Sequence, residues 1–131
     1  MIAWSLLPGL ARLDLEALAA RPEPVWVHGP PGSGRSSLAA EVARRRGVAV
    51  SEGGAFSPRA VTAADGPPPD GRWLGVKLSA LDEMPEAIAP LLQALAKEEG
   101  LEGGLPAALG RLPCPGNLRE LRNRVLRFNL L

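Results

Sequence analysis

Hydrophobic positions recur along this chain with two different spacings. Val25-Trp26-Val27-His28 is a β-branched and aromatic run of strand length. It runs straight into Gly29-Pro30-Pro31-Gly32-Ser33-Gly34, after which Leu38, Ala39, Val42 and Ala43 return at helical spacing. The order predicts strand, glycine-rich turn and helix, with the helix ending on Arg44-Arg45-Arg46 before Gly47. Cations suit the negative end of a helix and glycine suits its left-handed stop, so this triplet is read as a helix end and not as a nucleic-acid contact. Upstream, Leu10, Leu13, Ala17 and Leu18 predict an amphipathic helix over 10–20, stopped by Pro22. Downstream, Val48 to Val50, Arg59 to Ala63 and Leu74 to Leu78 read as three further strands, with Asp65 to Gly71 a loop.

The last third changes period. Ile88, Leu91, Leu92 and Leu95 form an apolar stripe, with Pro85 suited to a first turn and Gly100 to the stop. Leu105 to Leu112 predicts a short helix, Pro113 to Gly116 a turn, and Asn117 a cap for a helix that carries Leu118, Leu121, Val125 and Phe128 inward. Strands alternating with helices predict an α/β fold with a parallel sheet, though with fewer crossover helices than a full doubly wound sheet needs. The expected division is a trimmed α/β core over 1–82 and a small helical lid over 83–131.

Composition narrows the function classes. At 131 residues and 46% hydrophobic, the chain can bury a core, and disorder throughout is not expected. One cysteine, Cys114, and one histidine, His28, leave no material for an internal disulfide, a cysteine metal cluster or a Cys–His nucleophile. No signal-peptide pattern and no apolar stretch of bilayer length is present, so a cytoplasmic protein without membrane contact is expected. The net charge of +1 is uninformative, but its distribution is uneven: 82–102 is acidic and the tail from Arg111 to Arg127 is basic. Mutual neutralisation across a helix pair is the preferred reading of that asymmetry, and DNA contact stays open.

The chemistry concentrates in the glycine-rich turn. Gly29-x-x-x-x-Gly34-Arg35-Ser36 fits the Walker A spacing, with arginine where lysine is usual. Successive N–H groups at a helix start would cradle phosphate oxygens, so Gly29, Gly32, Ser33, Gly34, Arg35, Ser36 and Ser37 are the candidate nucleotide-binding residues. Ser36 is the hydroxyl expected to meet Mg2+. A planar guanidinium is not a flexible ammonium, so binding is expected to survive the exchange at Arg35 better than turnover.

Together these pieces resemble the AAA+ ATPase domain of the bacterial enhancer-binding activators that remodel sigma-54 RNA polymerase. The strongest local match is Pro115-Gly116-Asn117-Leu118-Arg119-Glu120-Leu121-Arg122-Asn123, which is similar to that family's Pro-Gly-Asn-Val-Arg-Glu-Leu lid signature. The phosphate loop is the second, and Pro85 to Leu92 is similar to the helix leading into the lid. The resemblance implies a shortened P-loop, AAA+-like parallel sheet with a C-terminal helical lid, and bound ATP or ADP with Mg2+. It makes Arg119 a sensor of the γ-phosphate on a mobile lid, and it places Lys77 where the family has an arginine finger.

The departures are large. The stretch between the phosphate loop and the lid is much shorter than in the family, and no apolar strand ending in Asp-Glu supplies the carboxylates that hold magnesium. Asp82-Glu83 is the one candidate pair, in a register that is not the preferred one; in the preferred register these are surface charges. Gly54-Ala55-Phe56-Ser57 imitates the family's polymerase-contacting loop, but it follows the phosphate loop too soon and is read as a chance match. Cys114 replaces a usual tryptophan. The expectation is a degenerate nucleotide-binding regulatory module without efficient hydrolysis, linked to transcription, with a protein partner or self-association. The alternatives are a nucleotide-independent interaction module with a vestigial loop, or a working ATPase using Asp82-Glu83.

Overall fold

The computed structural model describes residues 14–51, 57–101 and 105–130. Four short strands, β1 (Val25–His28), β2 (Val50–Ser51), β3 (Val61–Ala64) and β4 (Leu74–Lys77), pair in parallel in the order β2-β3-β1-β4. Around them run α1 (Leu15–Ala20), α2 (Arg35–Arg46), α3 (Ile88–Glu98) and α4 (Asn117–Leu130). The α/β class and the all-parallel sheet are as the sequence predicts.

Several boundaries move. The third strand starts at Val61 because Arg59 has φ 64° and Ala60 donates to Ser57 O at 3.1 Å, a tight turn where strand was expected. The short helix near 105–112 is a 3-10 turn over Ala107–Arg111, and Phe128 is 39% exposed, beyond Val125, the last buried position among the described side chains of α4. Residues 10–13 of the first predicted helix and Gly54 to Phe56 lie outside the described residues.

Alternation along the strands sets the layers. Val25, Val27, Val61 and Val76 point into one core with Leu38, Ala39 and Val42 of α2, and that core runs on through Leu78 and Leu81 to Leu91, Leu92, Leu95, Leu121 and Val125. On the opposite face Trp26 packs edge-on against Trp73, with ring centroids 5.1 Å apart, and its indole N–H donates to Gly66 O at 2.8 Å. The arginine triplet closes α2 as expected, with Gly47 at φ 70° behind it. Arg44 and Arg45 bind Glu41, whose carboxyl they draw down to about 2. Buried Arg46 donates to the carbonyls of Leu18, Arg21 and Glu23, tying the end of α2 to the end of α1.

From β1 the chain goes to the far edge, returns to β3, and then crosses to the other side at β4. The carboxyl end of β1 is therefore the point where connections diverge, and open parallel sheets leave their ligand crevice at such a place.

Candidate anion-binding site

The loop 29–34 leaves β1 at that divergence point. Gly29 passes so close to β4's continuation that a Cβ would lie 2.6 Å from Leu78 O. Gly32, at φ 77°, would place a Cβ 2.3 Å from Gly116 O. Ser33 N–H turns inward to Pro30 O at 3.2 Å, and its buried hydroxyl has no partner among the described residues. Gly34 caps α2 without a side chain, and the first bond of the helix runs from Leu38 N to Gly34 O at 2.9 Å. The N–H groups of Arg35, Ser36 and Ser37 thus precede the first helical hydrogen bond, at the positive end of the helix dipole.

A cleft of about 330 Å³ opens over this helix start, lined by Gly32, Gly34, Arg35, Ser36, Ser37, Leu118, Arg119 and Arg122. It brings together most of the residues singled out in the sequence, including Arg119 from a segment more than eighty positions away. Gly29 and Ser33 belong to the loop without lining the cleft.

The beginning of α4 is joined to the loop. Asn117, at φ 57°, does not cap its own helix: its Oδ1 accepts from Leu81 N at 2.8 Å, and its Nδ2 donates to Pro31 O at 3.0 Å. Arg119 N donates to Gly32 O at 3.0 Å. Glu120 reaches back to Gly116 N at 2.8 Å. The helix start that the resemblance makes part of a mobile lid is joined to the loop by two direct hydrogen bonds in this structure.

Arg35 shows what its planar fork does here. Nη1 donates to Gly29 O at 2.6 Å and Nη2 pairs with Asp65 Oδ1 at 2.5 Å. Asp65 is the residue the sequence reading missed, a carboxylate directly beyond the end of β3, the strand beside β1. Its signal was the β-branched start of Val61-Thr62-Ala63-Ala64-Asp65, obscured by the proline-rich loop that follows. Asp82 does other work, accepting from Cys114 N at 2.7 Å from a 3-10 turn after β4, and neither Asp82 nor Glu83 lines the cleft.

For Mg2+ the fit is poor: the cleft lining offers the hydroxyls of Ser36 and Ser37 but no carboxylate among the described residues, and Asp65, at its margin, is held by Arg35. His28, at the end of β1 and beside Lys77 in register, is pushed below its ordinary pKa by burial and then by the Lys77 charge. Cys114 is buried, its thiol donates to Asn117 O at 3.2 Å, and burial pushes its pKa up to about 11. Among the described residues no helix is long and apolar enough to cross a membrane. Compared with family models, curated proteins and solved structures, the chain matches none.

Proposed function

We propose that this chain is a degenerate nucleotide-binding regulatory module of the P-loop, AAA+-like kind, related to the sigma-54 activator ATPases and linked to transcription regulation. The carrying observation is the convergence of free helix-start N–H groups, two hydroxyls and the Arg119 guanidinium on one cleft at the divergence point of the sheet. In this reading Gly32, Gly34, Arg35, Ser36 and Ser37 cradle the phosphates of ATP or ADP, and Arg119 contacts the outermost one. Mg2+ would meet Ser36 only as a companion of the phosphates. Efficient hydrolysis is not part of the proposal, since the carboxylate beyond the end of β3 is paired with Arg35.

Titration calorimetry with ATP and ADP tests this. Saturable binding is expected, weakened in Arg119→Ala more for ATP than for ADP. Absence of heat at millimolar nucleotide ends the proposal.

One observation favours a second reading, a docking module with a vestigial loop that binds a protein partner or another copy of itself. Arg35 already has two acceptors of its own, so its fork is satisfied without any ligand. In that case capture of a partner is indifferent to nucleotide and to Arg35→Ala.

A further inference from the structure

Arg122 is the one cationic residue of the cleft to which the sequence reading assigns no role. It stands three positions after Arg119 on α4, the spacing that puts two side chains on one helix face, and both line the cleft with Arg35. Neither the Arg119 nor the Arg122 side chain has a partner among the described residues. Their neighbour Arg124, by contrast, is drawn away to the carbonyls of Leu109 and Pro113. Three guanidiniums and a helix start bring about +3.5 charges to one small cleft, of which Asp65 offsets one through Arg35. A single phosphate group carries about −1.5 to −2, so it answers only part of the remainder.

Building on the nucleotide-binding reading, we propose that the cleft selects its ligand by the number of linked phosphates, and that Arg122 sets that preference as a third cationic arm. The helix start and Arg35 take the inner phosphate, and Arg119 and Arg122 together take the outer ones. The phosphate chain, more than the base, then carries the affinity, and tripolyphosphate is a sufficient probe.

The test is calorimetry on the full chain with inorganic phosphate, pyrophosphate, tripolyphosphate and ATP, repeated for Arg122→Ala. Arg122 is exposed and unpartnered among the described residues, so the variant should fold like the parent, which circular dichroism checks. Affinity is expected to rise from phosphate to tripolyphosphate, and Arg122→Ala to lower the tripolyphosphate constant about tenfold while leaving inorganic phosphate nearly unchanged. If ATP or tripolyphosphate binds and Arg122→Ala binds it equally well, the inference is overturned while the nucleotide reading stands. Binding of ATP without binding of tripolyphosphate overturns it in the same way. If no compound of the series binds the parent chain, the nucleotide reading itself falls.

Discussion

At position 35 the planar guanidinium finds two acceptors on its own scaffold, Gly29 O and Asp65. Any phosphate arriving in the cleft competes with Asp65 for the same guanidinium. Removing the Asp65 charge should therefore tighten binding: the pair is exposed on the carboxylate side, so Asp65→Asn is expected to raise ATP affinity by about two- to fivefold. Weaker binding in that variant would mean instead that Asp65 helps hold the ligand. Cys114 gives a pH signature. Its thiol is raised from an ordinary value of 9.0 to about 11, so the fold favours the neutral form. That contribution is fully present below pH 9 and is lost as pH rises towards 11, where the unfolded chain releases the proton first. Denaturant midpoints should fall across that window, and Cys114→Ala should flatten the fall. His28 works in the opposite direction, since its pKa is lowered and the unfolded chain binds the proton more readily as pH drops below 6.5.

Among the elements, the contact between the loop and α4 carries the most consequence. A single side chain, Asn117, satisfies both the N–H of Leu81 and the carbonyl of Pro31. Asn117→Ala should cost about 1–3 kcal/mol in a thermal or denaturant melt, the usual loss when a buried donor is left unmet. Gly32→Ala attacks the same contact from the other side, by a strained φ and a Cβ against Gly116 O, and should also lower anion affinity. A Gly32→Ala chain with an unchanged melt would show that the contact is not tight. The strands and helices were largely legible because periodicity and punctuation agree over Val25 to Gly47 and Ile88 to Gly100. Asn117 was read as a cap because an asparagine before an apolar helix ordinarily is one. Its bridging role depends on the loop lying within reach, which no local pattern encodes. The same holds for Asp65, whose meaning comes from a neighbouring strand and not from its own loop, and for Phe128, where helical spacing continues past the body that α4 covers.

For the molecule as a whole, the question is whether the sheet and the C-terminal helices stand or fall together. Val25 and Val27 of β1 belong to the same buried cluster as Leu91 and Leu92 of α3 and Leu121 of α4, and Leu78 and Leu81 link the two sides. A cavity made in α4 should then weaken the strands. Leu121→Ala removes a fully buried side chain and is expected to cost about 2–5 kcal/mol, with the spread set by how far the site collapses. Because that is a large share of the roughly 5–15 kcal/mol that holds a domain of this kind together, the amides of Val25 to Val27 should lose exchange protection by a similar free energy. If they keep their protection while α4 loses its own, the helical part unfolds by itself. The site would then be assembled only when both parts are folded, since α4 supplies Arg119 and Arg122 and β1 leads into the loop. Ligand distinguishes the two cases as well: a nucleotide held at about 100 times its dissociation constant adds about 2.7 kcal/mol to whatever unit contains the complete site. That gain should appear in the β1 amides and the α4 amides alike when the core is continuous.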